Sequence, residues 1–342
     1  MRYFFKKIIN HISYRFGFQI KRFKSGRKLY FFLEDTPLQV FRHELNSFSS
    51  YVASINNHQL YQEILQLYIP NFPEFESYKF IAKNQGGGNS CFHAFRKVSS
   101  NKKTYFEKIY YSELQSFLTV KWMNSFVFPL LKDQIELPEI KIIYEGNRLH
   151  AVYFKFFDLK KEKNPENELI RKSWLLYKLS LENKNLLISD LPSYITNFTS
   201  HFEYQKNRQE VLNKYADLVF FEKLLVKENR FISHGDMNPT NIYKGNILLD
   251  WDNAGLFPLG FDPAFIFFRL LIENYKTGHF ENWVKKNYKA LIRKDDWEKF
   301  KIQMMFFLLV FGYKHKDRTE LHGLEEQVVS EIQKIKARHF SL

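Results

Sequence analysis

FISHGDMNPTNIY, residues 231–243, is followed three residues later by ILLDWD, residues 247–252. Within these segments Asp236, Asn241 and Asp250 place two carboxylates and one amide on a loop and at the end of a short apolar run. Mg²⁺ takes oxygen ligands, and it is usually held by one or two carboxylates together with the phosphates of a substrate. The two segments therefore indicate a site for a divalent cation that is bound to a phosphorylated ligand.

The order and spacing of these residues resemble those of the aminoglycoside phosphotransferase and choline kinase family. The family's catalytic loop reads His-Gly-Asp, as residues 234–236 do, and its second motif reads Asp, an aromatic residue, then Asp or Glu, as residues 250–252 do. A downstream Asp-x-Ala is matched by residues 262–264. The resemblance covers about residues 78–310.

This resemblance implies a protein-kinase-like α+β fold with two lobes, a small, mainly β N-lobe and a larger α-helical C-lobe. It assigns residues 76–160 to the nucleotide-binding lobe and residues 161–342 to the catalytic and substrate-binding lobe. Residues 1–75 match no part of the family and form an extension of unassigned role. Their basic and aromatic start is typical of a helix packed on the protein body, or of a segment lying on a membrane surface.

The resemblance also implies roles for the motif residues. Asp236 would orient and deprotonate the acceptor hydroxyl, while Asn241 and Asp250 would bind Mg²⁺ on the phosphates of ATP. Asp252 stands two residues after Asp250, which is the same-face spacing if the strand continues, so we assign it a metal-facing or supporting role. His234 is expected to anchor the loop.

Candidates for nucleotide binding precede the catalytic loop. Gly86, Gly87 and Gly88 lie between two strand-like segments, and glycines let a backbone approach phosphates closely, although hairpin turns use the same property. Lys108 would reach the phosphates from a strand, the alternative being an edge-strand lysine that faces water. Glu113 would pair with Lys108, or would only favour the start of a helix through its charge.

The remaining elements are predicted from apolar spacing and capping signals. Asp262 followed by Pro263 predicts the N-cap and first residue of a helix. The polar run 160–167 predicts a hinge between the lobes. Strands are expected at residues 104–110, 140–144 and 149–157, and helices over 112–131, within 168–228, and over 297–311 and 322–338.

Composition restricts the partners without selecting one. The formal net charge of +14 favours anionic partners, which include nucleotide phosphates, nucleic acid, anionic lipid and acidic glycans. From it we expect an anionic small-molecule or glycan acceptor, such as a sugar of an envelope glycolipid. We infer no nucleic acid and no obligate protein partner. The single cysteine, Cys91, favours a reducing compartment or indifference to redox state, and we expect a cytoplasmic protein with peripheral contact at the inner face of the membrane.

The sequence thus predicts an ATP- and Mg²⁺-dependent kinase that phosphorylates a hydroxyl of a small molecule or sugar. The absence of Gly-x-x-x-x-Gly-Lys-Ser/Thr argues against a P-loop kinase. Two alternatives remain: a catalytically silent binding module on the same fold, and a protein kinase. The second is weakened by Gly235, which stands where protein kinases carry the motif arginine, and by the lack of an Asp-Phe-Gly motif.

Overall fold

The computed structural model describes residues 21–23, 26–30, 69, 71–72, 77–82, 92–111, 115–146, 149–183, 191–227, 230–315 and 317–340. The chain divides into two compact units, one made from residues 1–117 and 139–157 and the other from residues 118–138 and 158–342. The domain limits expected from the sequence, after residues 75 and 160, stay predictions. Gly86, Gly87, Gly88, Cys91 and Glu113 lie outside the described residues.

The first unit contains antiparallel strands. These are β1 (Lys21–Phe23), β2 (Gly26–Tyr30), β3 (Ser77–Ala82), β4 (Phe92–Ser100), β5 (Lys103–Tyr111), β6 (Ile140–Glu145) and β7 (Leu149–Lys155). Strands β1 and β2 pair with each other, and the other five form one sheet in the order β3-β4-β5-β7-β6. Short apolar runs with turns between them favour the pairs β1-β2, β4-β5 and β6-β7, because consecutive strands can pair through a tight connection, whereas β5 pairs with β7, which follows β6 in the chain.

Strand β5 is the middle strand of the five-stranded sheet. Lys108 on this strand is only 7% exposed and pairs in register with Val152 of β7. Its neighbour Glu107 is completely buried and accepts a hydrogen bond from the Tyr153 hydroxyl at 2.7 Å. The alternative interpretation of Lys108 as an edge-strand lysine facing water is therefore wrong, since a middle strand has no free edge.

The second unit is mainly helical. Its helices, together with the one that enters it, are α1 (Gln115–Trp122), α2 (Phe128–Leu131), α3 (Pro165–Glu182), α4 (Ser193–Thr196), α5 (Phe202–Lys214), α6 (Ala216–Lys227), α7 (Phe261–Ile272), α8 (Phe280–Tyr288), α9 (Trp297–Gly312) and α10 (Leu324–Phe340). Two strand pairs complete it: β8 (Phe231–Ser233) with β11 (Gly255–Phe257), and β9 (Ile242–Tyr243) with β10 (Ile247–Leu248). The expected sheet part and larger helical part are confirmed.

Two predicted elements differ in detail. The helix expected over residues 112–131 contains a π-helical turn at Met123–Val127, in which the Phe128 amide bonds to the Met123 carbonyl five residues back. Pro129 is the physical reason, because it has no N–H for the regular bond and its ring would clash with the carbonyl four residues earlier. The polar run over residues 160–167 is not irregular throughout, since α3 already begins at Pro165, and the hinge expected there stays a prediction.

The core of the helical unit is aromatic and centres on α7 and α9. Phe261 and Phe265 of α7 meet Phe307 and Phe311 of α9 nearly edge-on, at centroid distances between 5.0 and 5.4 Å. Helix α7 is apolar on all sides, as expected for a central helix, and its only charged residues are Asp262 and Arg269. Much of the large phenylalanine content therefore serves packing. In the described part of the chain, no helix is both long and apolar enough to cross a membrane.

Candidate active site

A loop between two strand pairs carries the candidate catalytic residues. Strand β8 ends at Ser233 and is held by β11, with Ser233 opposite Gly255. Strand β9 starts directly after Asn241 and forms a hairpin with β10. The backbone amide of Leu249 also bonds to the carbonyl of Asn241 at 3.0 Å, which continues the hairpin beyond β10. The loop is thus tied at both ends to short, well-paired strands.

Gly235 allows the loop to turn next to a second segment. Its φ angle is +76°, in the left-handed region that disfavours residues with a side chain. A Cβ atom placed on this residue would lie 1.9 Å from the carbonyl oxygen of Asn253, which is far below a van der Waals contact. The middle residue of the His-Gly-Asp motif therefore has to be glycine in this fold.

Asp262 anchors the same loop through its backbone. Its two carboxylate oxygens accept the backbone N–H groups of His234 at 2.7 Å and Gly235 at 3.0 Å. The expectation that Asp262 is the N-cap of its own helix is wrong: Gly260 occupies that position, and Pro263 lies beyond the first helical residue. The carboxylate turns away from its helix because the loop offers it two amides. Burial raises its pKa to about 6.

His234 is completely buried, and backbone groups use both nitrogens of its ring. Nδ1 accepts the N–H of Asp236 at 3.2 Å, and Nε2 lies 2.9 Å from the Leu249 carbonyl, to which it donates. The ring also meets the edge of Trp251 at a centroid distance of 4.6 Å. Burial lowers its pKa to about 4, so the imidazole is neutral. These contacts support the predicted anchoring role.

His201 is a loop anchor that the sequence did not reveal. It lies directly before α5, and its Nε2 donates to the carbonyl of Gly235 at 2.6 Å. Asp262 holds the N–H of Gly235 and His201 holds its carbonyl. Burial lowers the pKa of His201 to about 4. A lone histidine in a polar segment gave no signal of this contact, which spans 34 residues.

The carboxylate of Asp236 is held by two amides of its own loop. Asn238 donates to Oδ1 at 2.8 Å, and Asn241 donates to Oδ2 at 3.0 Å and to the Asp236 carbonyl at 2.9 Å. In these bonds Asn241 uses only its side-chain amide nitrogen, so its side-chain oxygen takes no part in holding Asp236. Two predicted site residues, Asp236 and Asn241, are thus in direct contact.

Asp236 has the electrostatics of a base that works near neutral pH. Its pKa is raised to about 7, mainly by burial and to a smaller extent by the negative charge of Asp250. The hydrogen bonds from Asn238 and Asn241 and the positive charge of Arg269 lower the pKa, but by less. A group with a pKa near the operating pH is well suited to general base catalysis. An electrostatic effect of Asp250 on Asp236 is expected when two carboxylates lie close together.

Asp250 and Asp252 do not share a strand face, contrary to the expectation for a continuing strand. Strand β10 ends at Leu248, Asp250 has a left-handed backbone with φ +65° and ψ +64°, and Trp251–Asn253 forms a 3-10 turn. The turn changes the side-chain direction, so the two-residue spacing no longer implies one face. Asp252 is 6% exposed.

The residues fit a metal that is shared with phosphates. Among the described residues, no three side chains of the His, Cys, Asp and Glu types cluster as a complete metal site. Mg²⁺ seldom needs such a cage, because it keeps water and phosphate ligands and takes only one or two from protein. The carboxylate of Asp250 and the amide oxygen of Asn241 would supply these two.

Arg269 is a second residue near the site that sequence reasoning missed. It follows Asp262 by seven residues on α7, which is two helical turns and therefore the same face. Its guanidinium pairs with Glu273 at 2.7 Å, and its buried Nε has no hydrogen-bond partner in the described part of the chain. The seven-residue spacing from Asp262 was the feature of the sequence from which its position on the same helix face could have been predicted.

Comparisons with known proteins give only distant similarities. No protein-family model and no curated protein matches the chain. Among solved structures, aminoglycoside phosphotransferase APH(3'')-Id from Streptomyces rimosus, in complex with ADP and streptomycin, is 11% identical with a TM-score of 0.47, over 73% of this chain and 98% of that one. Choline kinase LicA from Streptococcus pneumoniae is 14% identical (TM-score 0.41; 80% and 98% coverage). A choline kinase from Cryptosporidium parvum is 12% identical (TM-score 0.40; 87% and 97% coverage). These are proteins of the family that the motifs resemble.

Proposed function

We propose that this protein is a kinase that transfers the γ-phosphoryl group of ATP to a hydroxyl of a small molecule or glycan. The observation that carries the proposal is the state of Asp236. Its carboxylate is fixed by Asn238 and Asn241, and its pKa is raised to about 7 by burial and by the charge of Asp250. Such a group can accept a proton at neutral pH and is already oriented to do so.

In the proposed reaction the acceptor hydroxyl donates a hydrogen bond to Asp236. Its oxygen attacks the γ-phosphorus of ATP in line, and the bond from that phosphorus to the oxygen bridging to the β-phosphate breaks. The hydroxyl proton passes to the Asp236 carboxylate, and the products are a phosphate monoester and ADP. Positioning and charge stabilisation supply most of the rate acceleration in this chemistry.

Asn241 and Asp250 are the residues that would hold Mg²⁺ in this reaction. The metal neutralises charge on the phosphates when it is bound. Asp252 is proposed as a supporting carboxylate. On the nucleotide side we retain Lys108 for the phosphates, Glu113 as its partner and the glycines at 86–88 as the covering loop.

For the acceptor we propose an anionic small molecule or glycan. The net charge of +14 supports this choice, because a basic surface attracts anions and raises their local concentration. A cationic aminoglycoside would need acidic groups around its binding site. The same charge motivates the prediction of peripheral contact with an anionic membrane at its cytoplasmic face.

Two measurements test the proposal. Thermal shift assays should show stabilisation by ATP that increases when Mg²⁺ is added. Transfer of labelled phosphate from ATP is then screened against glycolipid, phosphorylated sugar, aminoglycoside, choline and protein pools. The variant Asp236→Asn serves as the control, since it should bind the nucleotide while losing turnover by a factor of roughly 10²–10⁴.

The outcomes separate the alternatives. No stabilisation by ATP with Mg²⁺ would favour a silent binding module. Labelling of protein pools alone would favour a protein kinase. Turnover in Asp236→Asn close to that of the wild type would exclude Asp236 as the base.

A further inference from the structure

The hairpin made by β9 and β10 determines how far apart the two candidate metal ligands lie. Asn241 directly precedes β9, and Asp250 follows β10 by two residues. At that end the Leu249 amide bonds to the Asn241 carbonyl. At the other end a turn over residues 244–246 reverses the chain. A change in this turn would shift the pairing and thereby the spacing of the ligands.

Asn246 ends this turn and is bonded by other segments of the helical unit. Its backbone is left-handed, with φ +64°. Its side-chain oxygen accepts from Lys172 and Arg171 of α3, and its amide nitrogen donates to the Gln134 carbonyl. Its backbone carbonyl accepts from Lys172 Nζ at 3.1 Å and from the Glu136 amide at 3.2 Å. The turn is therefore fixed by contacts distant in sequence.

Lys172 is unusual among these partners because it is completely buried, with 0% exposure. A buried ammonium group is costly unless its donors are satisfied. Its pKa is lowered to about 8, mainly by burial and to a smaller extent by the positive charge of Arg171. The negative charges of Glu168 and Glu162 raise the pKa, but by less. Glu168 Oε2 lies 3.9 Å away, whereas Asn246 receives two of its hydrogen bonds. The ammonium group of Lys172 is therefore bound mainly by the turn.

We propose that Lys172 is a positioning residue for the metal site, which holds Asn246 and so keeps Asn241 and Asp250 at the separation that binding requires. This inference rests on the proposed function for its metal, but the positioning itself is a property of the hairpin. A methionine at the same position would fill the volume at a lower desolvation cost. The cost of a buried lysine is explained if its hydrogen bonds set the hairpin geometry.

The test compares Lys172→Met with Lys178→Met. Lys178 lies on the same helix, is 60% exposed and is 3.7 Å from Glu182, so its loss should leave the hairpin unchanged. Amide hydrogen exchange is measured without metal, well below the melting temperature of each variant. We expect faster exchange at the Leu249 amide in Lys172→Met and wild-type exchange in Lys178→Met. Unchanged exchange in Lys172→Met would overturn the inference.

The second readout is the Mg²⁺ concentration that half-saturates nucleotide binding. We expect an increase of about tenfold in Lys172→Met, the size found when residues that support metal ligands are removed, and none in Lys178→Met. Nucleotide affinity in EDTA should not change. A purely structural role would lower the melting temperature and leave the Mg²⁺ requirement unchanged below it, which would contradict the inference.

If Lys172→Met does not fold, Asn246→Gly tests the same contact. Glycine keeps the left-handed backbone and the backbone carbonyl but removes the side-chain oxygen. Faster exchange at Leu249 supports the inference, and wild-type exchange contradicts it. A wild-type protein without Mg²⁺-dependent nucleotide binding would overturn the proposed function, while the exchange data would still decide whether Lys172 positions the hairpin.

Discussion

Asp262 binds the backbone N–H of Gly235 at 3.0 Å across 27 residues of sequence. The same carboxylate takes the N–H of His234, and His201 takes the carbonyl of Gly235, so one peptide segment is held from both sides. Asp236, the proposed base, is the next residue. Its position therefore depends on anchors outside the loop as well as on the loop's own sequence.

Replacing Gly235 by alanine should displace this loop. The added Cβ would lie 1.9 Å from the Asn253 carbonyl oxygen, and the φ of +76° adds strain. We expect a loss of more than about 3 kcal/mol in the free energy of unfolding, measured by urea denaturation, and loss of turnover. Gly278→Ala is the matched control, because Gly278 has a φ of +72° and no atom near its Cβ position. It should cost only about 1–2 kcal/mol. Equal losses in both variants would show that the contact with Asn253 is unimportant.

The buried histidines make the fold sensitive to acid. The pKa of His201 is about 4 in the folded protein, below its ordinary value of 6.5, so its contribution to stability is complete above pH 6.5 and is lost as the pH falls through 4. The difference between the two pKa values corresponds to a free-energy contribution on the order of a few kcal/mol. His201→Gln keeps an N–H donor for Gly235 but cannot titrate, so the stability difference between wild type and variant should change over this range.

The control for this measurement is His322→Gln, because His322 is exposed. Asp236 and Asp262 have raised pKa values and change stability in the opposite direction over a similar range. The comparison is therefore made between variant and wild type at each pH. A difference that stays constant from pH 7 to pH 4 would contradict the effect assigned to His201.

Asp250 should matter more for the metal than Asp252. Asp250→Asn removes a carboxylate ligand, and we expect Mg²⁺-dependent nucleotide binding to weaken by at least tenfold in calorimetric titrations. Asp252→Asn should have a smaller effect, because the 3-10 turn separates it from the strand. In the metal-free protein, Asp250→Asn should also lower the pKa of Asp236, since the charge of Asp250 helps to raise it. The reverse ranking of the two variants would place the metal at Asp252.

Arg269 should tune the base. Its positive charge lowers the pKa of Asp236 against the larger effect of burial, so Arg269→Met should raise that pKa. At neutral pH a smaller fraction of Asp236 would then be ionised, and the acid limb of the pH–rate profile should shift to higher pH. Carboxyl NMR titration of the metal-free protein measures the pKa directly. Arg293→Met, at an exposed arginine paired with Asp296, should leave it unchanged. A wild-type titration curve in Arg269→Met would refute this role.

The sequence was most informative where the chemistry is local. Asp236 and Asn241 are separated by few residues, so a tight loop brings them together without help from distant segments. The strands and helices were also largely predictable from apolar spacing, with ends displaced by one to three residues. The π-helical turn before Pro129 was not predicted, because the pattern of apolar residues does not show how a helix adapts to a missing N–H.

The local sequence was misleading for Asp262 and for the pair Asp250 and Asp252. An aspartate before a proline is a normal capping signal, but the amides of a loop 27 residues earlier compete for the same carboxylate. A two-residue spacing implies one face only in an extended strand, and the left-handed backbone at Asp250 ends that strand.

By itself, the sequence determined which groups the proposed site contains: two acids and an amide in a loop and hairpin, with glycine at the position that has to turn. Only the tertiary structure decided the pKa values of these groups and the positions in which they are held. Burial and the charge of Asp250 raise the pKa of Asp236, His201 and Asp262 fix the peptide before it, and Lys172 holds the turn of the adjoining hairpin. Desolvation and hydrogen bonds between distant segments exist only once the chain is packed. They could therefore not be predicted from any local sequence pattern.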